Sequence, residues 1–247
     1  MPIESRLLLA SRLVRVAVAA LAAAAGVSVA GAPERASAQT VRPVIVEYEG
    51  KKVHGKFELA NDQLLPVNVI LEAKSFDVTE EGDPLYRPLD ASLRVKLSEM
   101  SLRIPARQSR TIFFEARADS VPAWFTIYAT FAGMPRREGV EIEIELPHTV
   151  YMLPKQPLRK DDVRVETAVW DSAAHRVEVR LRNTSGRLGR VVEAEASARK
   201  ERRRHGSFPL LPGATRRFLI PWDAADAPSR LRIEFQRFSL EDSLRTG

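Results

Sequence analysis

From Val41 onward, apolar and polar residues alternate with a period of two, the pattern of strands that cover one face. Val53 to Asn61 sets Val53, Gly55, Phe57 and Leu59 inward against His54, Lys56, Glu58 and Ala60. Val67, Val69 and Leu71 repeat the alternation, as do Leu93, Val95 and Leu97 against Arg94, Lys96 and Ser98. Thr111 to Ala116 and Phe125 to Phe131 continue it with β-branched and aromatic residues. The cleanest run is Val140 to Leu146, where Val140, Ile142, Ile144 and Leu146 alternate with Glu141, Glu143 and Glu145. Turn chemistry separates the runs at Glu49-Gly50, Asn61-Asp62, Glu81-Gly82-Asp83-Pro84 and Gly133-Met134-Pro135. After Gln39 no window keeps a 3.6-residue apolar period for more than two turns, so the expectation is an all-β chain.

A second set of strands follows at Val163–Trp170, Val177–Asn183, Val191–Ala198, Thr215–Pro221 and Leu231–Phe238. The intervening Pro-rich, charged residues read as a linker, placing an N-terminal domain at 39–154, a linker at 155–162, a second domain at 163–240 and a tail at 241–247. Strand spacing of about 8–12 residues with turns between predicts two immunoglobulin-like β-sandwich domains in tandem.

The first 38 residues read differently. Arg6, Arg12 and Arg15 precede an unbroken apolar run from Val16 to Ala25, and Ala36-Ser37-Ala38 offers small side chains before Gln39. That is the composition of a cleaved signal peptide, with an apolar run too short to span a bilayer. The 247 residues hold 38 basic and 32 acidic residues. Residues 1–38 carry four of the former and two of the latter, so the exported chain keeps an excess of four positive charges. Cysteine is absent, which excludes a disulfide framework, a thiolate metal site and a Cys nucleophile. An exported chain of this kind is expected in the periplasm or outside the cell.

Five segments together resemble the PapD-like periplasmic chaperones of pilus and fimbrial assembly. Phe57 to Leu71 (FELANDQLLPVNVIL) is similar to their strand, Asn turn and Pro-Val strand, and Leu102 to Ala116 (LRIPARQSRTIFFEA) to their Pro-Gln-Arg segment. Gly139 to Pro154 resembles the last strand of their first domain. Val179 to Leu188 and Phe208 to Trp222 resemble the Asn-containing strand and Leu-Pro-Gly turn of their second. The resemblance implies a chaperone that lends its last first-domain strand to secreted pilin-like subunits lacking one, and delivers them to an outer-membrane usher. Val140, Ile142, Ile144 and Leu146 would be the donor residues, because one face of a strand enters a groove at every second position. The family's carboxylate-holding Arg and Lys fall at Ile45 and near Val150 here, with Arg42 and Lys155 as neighbouring substitutes. No cofactor, metal, nucleic acid or stable membrane insertion is implied.

Other candidate chemistry is sparse. Arg199 to His205 (RKERRRH) is the densest positive run and reads as a solvated hairpin tip; no aromatic residues interleave with it. Asn183-Thr184-Ser185 is expected to cap a turn, and Glu80-Glu81 and Asp161-Asp162 to be exposed in loops. His148 beside the donor strand is a candidate lining of the cleft between domains, without a visible partner. No nucleophile elbow, phosphate loop or metal-ligand spacing is present, so a non-enzyme is expected. The alternative to a chaperone is a secreted β-sandwich interaction module or surface structural subunit.

Overall fold

The computed structural model describes residues 39–135 and 141–246, with 133–135, 141 and 142 described by backbone alone. The signal-peptide segment and Val140 lie outside the described residues. Residues Ala38–Gly247 make one compact unit, built almost wholly from strands.

Ten strands come first: β1 (Gln39–Arg42), β2 (Ile45–Glu49), β3 (Lys52–Asn61), β4 (Val67–Val78), β5 (Pro84–Pro88), β6 (Leu93–Leu97), β7 (Ser101–Ile104), β8 (Gln108–Ala118), β9 (Ala123–Pro135) and β10 (Glu141–Leu153). They form a four-stranded sheet in the order β1-β3-β8-β6 and a sheet in the order β2-β10-β9-β4-β5, with β7 also on β4. Phe57, Leu59, Ile112 and Phe114 from one sheet bury against Val69, Leu71, Ile127, Phe131, Val150 and Met152 from the other. The alternation read in the sequence is what allows this, since each strand sends every second side chain between the sheets. Gly55 points inward where a Cβ would run into the Phe114 ring and the Tyr48 hydroxyl.

Nine more strands follow: β11 (Val163–Asp171), β12 (Arg176–Asn183), β13 (Gly189–Ala198), β14 (Glu201–His205), β15 (Phe208–Leu210), β16 (Thr215–Pro221), β17 (Arg230–Phe235), β18 (Ser239–Ser243) and β19 (Arg245–Thr246). Their sheets, β16-β12-β11-β19 and β14-β13-β17-β18 with β15 on β13, enclose a second core around Trp222, Leu181, Ile220 and Ile233. The fold is thus all-β, two sandwiches in tandem. A third cluster, Phe76 and Tyr151 with Leu188 and Leu211, packs the two sandwiches together.

Several readings of the sequence change. Of Arg199 to His205 only Arg199 and Lys200 form the exposed hairpin tip: Glu201–His205 is the returning edge strand on β13, and Arg203 and Arg204 engage Asp223 and Glu195 at 2.6 and 3.0 Å. Strand continues through Thr246, where a tail was expected, because β18 completes the β17 edge and β19 pairs with β11. Glu80 and Asp162 are half-buried rather than free in loops; Glu80 meets Arg180 at 2.7 Å and Asp162 meets Arg187 at 2.9 Å.

Each sandwich uses the same device where a strand leaves one sheet. Asn61, fully buried at the end of β3, directs its amide nitrogen at the carbonyls of Leu65, Ile104 and Pro105 (2.8, 3.2 and 3.1 Å). Its amide oxygen accepts from the Gln63 N–H. Asn183, at the end of β12, does the same to Arg187, Leu210 and Leu211, and accepts from the Ser185 N–H. The turn-capping role read for Asn183 is therefore shared by Asn61.

Between β1 and β2 the chain crosses from one sheet to the other, and His148 of β10 holds the crossing. Its Nδ1–H donates to the Pro43 carbonyl at 2.6 Å, its ring stacks on Phe57 at 4.5 Å, and Phe114 meets it edge-on at 5.6 Å. Nε2 is buried without a hydrogen-bond partner among the described residues. His148 is therefore a core residue of the first sandwich, not a lining of the cleft: it is fully buried among aromatic rings.

Replacing Asn61 by Ala strands the carbonyls it serves and is expected to cost about 2–4 kcal/mol in urea unfolding. A cost near zero would show that water serves those carbonyls equally well. Burial holds the His148 pKa below its ordinary 6.5, against the opposing pull of the Pro43 hydrogen bond. The unfolded chain then binds this proton more readily than the folded one. Stability from this group is complete above the ordinary His pKa and falls as pH drops through it, by at most about 1.4 kcal/mol per pH unit. Thermal melts over that range should show this loss in the native chain, and His148→Phe should flatten it.

Candidate functional site

The N-terminal half of β10 is paired on one side only. Its partner there is β9, through Ile144 to Phe131, Leu146 to Ala129 and Pro147 to Tyr128, with a bulge between Ile142 and Ile144. On the other side β2 begins only at Thr149, opposite Ile45, and runs in parallel to Leu153 opposite Glu49. The Thr149 N–H donates to the Val44 carbonyl at 2.7 Å, one residue before that pairing starts. Among the described residues no strand pairs with the free side of β10 from Glu141 to Pro147.

Along this open edge the alternation has a physical face. Glu143 and Glu145 are exposed, while Ile144 and Leu146 are half-buried and lie against the rim of the first core. Ile142 belongs to the same strand, opposite Met134 in the backbone register. From Val150 onward the strand turns into ordinary core, with Val150 and Met152 buried toward the first sandwich and Tyr151 toward the second.

The structure does not bring Arg42 and Lys155 together. Arg42 ends β1 on the exposed face of the four-stranded sheet, opposite Glu58, before the chain crosses. Lys155 follows β10 in the segment that joins the sandwiches, six residues beyond Thr149, the residue opposite Ile45, or roughly 20 Å along an extended strand. Ile45 is exposed, and Val150 is fully buried. The outer face of the β10 sheet instead carries a row that the sequence did not single out: Ile45, Thr149, Thr126 and Lys74 across four strands. The two threonine hydroxyls share a hydrogen bond of 3.2 Å. Lys74 pairs with Glu72 at 3.0 Å and lies over the Tyr128 ring. Alternation marks these positions as one face, but no spacing rule aligns residues from four strands in advance.

The sandwiches are fastened by charge as well as by the apolar cluster. Glu47 of β2 accepts from Arg190 Nε at 2.7 Å and from Gln236 at 3.2 Å, and the Arg190 guanidinium lies over Tyr151 at 5.1 Å. Glu47, Arg190 and Gln236 border a cavity of about 260 Å³ that Lys155, Phe235 and Phe238 also line. On the other side of the junction, the Glu80 carbonyl accepts from the Arg217 N–H and from Arg216 Nη1, at 2.7 and 3.0 Å. Gly82 permits this contact, since it adopts a positive φ of 104° and a side chain there would strike the Arg216 guanidinium. Among the described residues there is no His/Asp/Glu group arranged to hold a metal ion, and no helix long and apolar enough to cross a membrane.

No family model matches the sequence, and no curated protein matches it. Among solved structures the chain is similar to the YadV chaperone, at 12% identity and a TM-score of 0.51, covering 83% of this chain and 98% of that one. It is also similar to the structure of the Salmonella enterica SafA pilin in complex with the SafB chaperone, at 10% identity and a TM-score of 0.50, covering 84% and 96%. The segments that resemble PapD-like chaperones in sequence therefore fold as those chaperones do, and the architecture of this chain is their two-domain β-sandwich.

Proposed function

We propose that this protein is a periplasmic chaperone that caps secreted pilin-like subunits by lending them the free edge of β10, and passes them to an outer-membrane usher. The observation that carries this reading is the unpaired side of β10 from Glu141 to Pro147, with aliphatic residues at alternate positions. A subunit lacking its final strand needs two things from a donor: a ladder of backbone N–H and C=O groups, and side chains that fill its groove. The free edge supplies the first. Val140, Ile142, Ile144 and Leu146 supply the second, within a donor domain of residues 39–154. Burying four such side chains contributes roughly 6–10 kcal/mol gross, before the cost of ordering and docking. Ile144 and Leu146 sit at the rim of the chaperone's own core and keep part of their surface for a client. This reading includes no shared anchor for the client's terminal carboxylate made from Arg42 and Lys155, because Arg42 lies on the exposed face of the four-stranded sheet and Lys155 in the segment after β10.

Replacing both Ile144 and Leu146 by Asp should abolish capture of a pilin-like subunit that lacks its last strand, measured by co-purification from the periplasm. The free protein should lose only about 1–3 kcal/mol, since both side chains lie at the rim of the core and not within it. A collapsed melting temperature in this double variant would identify the strand as core and sink the donor assignment. Unaltered capture by a folded variant would do the same.

A further inference from the structure

The outward face of the β1-β3-β8-β6 sheet gathers positive charge. Cross-strand register places Lys52, Arg117 and Arg94 in one row, and His54, Glu115 and Lys96 in the next. Lys56 and Phe113 form a third row, and Arg42, Glu58 and Thr111 a fourth. All of them alternate with buried neighbours such as Val53, Phe57, Ile112 and Ala116, so they face away from the core. Six Lys and Arg side chains stand here against two glutamates, which matches the excess of four positive charges in the whole chain after residue 38. Lys52 pairs with Glu115 at 3.2 Å, and Arg94 reaches Asp119 in the adjoining turn at 3.0 Å. Lys56, Lys96, Arg117 and Arg42 make no ion pair among the described residues. The arginine-rich strand β14 is the contrast: Arg203 and Arg204 are matched by Asp223 and Glu195.

An exposed aromatic ring sits within this charge. Phe113 keeps 58% of its surface exposed. Beside it opens a shallow groove of about 520 Å³, walled by Pro43, Val46 and Tyr48 and bordered by His54 and Lys56.

We propose that this face docks on an anionic phospholipid bilayer. Charge complementarity selects a negative partner, since unpaired cations near an anionic membrane gain from its surface potential. The arrangement selects a bilayer over an acidic polypeptide. The cations spread in two dimensions over four strands instead of lining a strand-shaped trough. The exposed ring with its apolar groove suits the boundary between headgroups and acyl chains, which a soluble acidic segment lacks. The open edge of β10 belongs to the other sheet, so docking leaves it free. Docking of this face is independent of what that edge binds.

The test is sedimentation of the exported protein with vesicles of phosphatidylcholine containing about one-third phosphatidylglycerol, beside vesicles of phosphatidylcholine alone. Binding to the anionic vesicles should be at least about 10-fold stronger, and should weaken as salt rises from about 50 to about 300 mM. The combined variant Lys56→Glu, Lys96→Glu and Arg117→Glu should lose at least about 10-fold of that binding. Should that variant not fold, Lys56→Gln with Lys96→Gln carries the same test, with an expected loss of about 3-fold or more. Phe113→Ser should weaken binding without changing its salt dependence. An equal change of charge elsewhere, Arg164→Glu with Arg230→Glu and Arg245→Glu, should leave binding within about 2-fold. Equal binding to both vesicles, no binding at low salt, or equal losses from the two charge sets would overturn the proposal. Retention on immobilised poly-glutamate without binding to vesicles would also overturn it, and would assign the face to an acidic protein.

Discussion

The hydrogen bond from His148 to the Pro43 carbonyl joins three parts of the first sandwich at one point. His148 belongs to β10, Pro43 to the crossing between sheets, and Phe57, on which the imidazole stacks, to the opposite sheet. The crossing sets where β2 can begin to pair with β10, and that start, at Thr149, sets how much of β10 stays uncovered. Moving the crossing toward the N-terminus of β10 would close the edge, and moving it the other way would open the core around Val150 and Met152. A neutral imidazole suits this place because one nitrogen has a carbonyl to serve and the other has no hydrogen-bond partner among the described residues. Protonation would leave a buried N–H without an acceptor.

The two buried asparagines solve a related problem in each sandwich. A chain leaving one sheet for the other exposes carbonyls that no strand can satisfy, and a single amide reaching three of them replaces a missing strand neighbour. With both turns pinned, the surfaces that meet between the sandwiches are rigid enough to pack. Phe76 and Tyr151 then reach Leu188 and Leu211, and the Glu80 carbonyl reaches the backbone of β16. The charged contacts act more on geometry than on stability. Arg190 keeps one buried nitrogen without a partner, a desolvation cost that its bond to Glu47 offsets only in part.

The alternation of apolar residues made the long central strands legible, because burial on one face leaves its mark at every second position. Where both faces are covered, the mark disappears. The alternation that begins at Val140 stops at Leu146, yet the strand continues to Leu153: Val150 and Met152 face one core while Tyr151 between them faces the other sandwich. Ser75 and Phe76 obscure the end of β4 in the same way, both being buried in succession. Edge strands fail for the opposite reason. Neither Pro84–Pro88 nor Glu201–His205 has a fully buried residue, so neither shows a period. For the site, the apolar alternation of β10 was readable, but its open side was not, since coverage by β2 is a fact of tertiary register. The placement of Arg42 is of the same kind: two residues from the crossing, a basic side chain lies on one sheet or the other according to where the chain turns.

An uncovered edge invites pairing with a second copy of itself, and the composition of β10 opposes that outcome. Glu141, Glu143 and Glu145 occupy the positions between the aliphatics, so a second β10 laid antiparallel brings carboxylates beside carboxylates across the new ladder. A foreign strand with neutral or basic residues there meets no such repulsion. Pro147 limits the edge from the other end. It has no N–H to offer an added strand, and it stands one residue before the His148 clamp and two before β2 begins. The Thr149 N–H points to β2, so by alternation along the regular strand the last N–H offered on the free side before Pro147 is that of Glu145, next to Leu146, the last of the alternating aliphatics. Backbone ladder and side-chain row thus end within one residue of each other, as they must if an added strand is to read both.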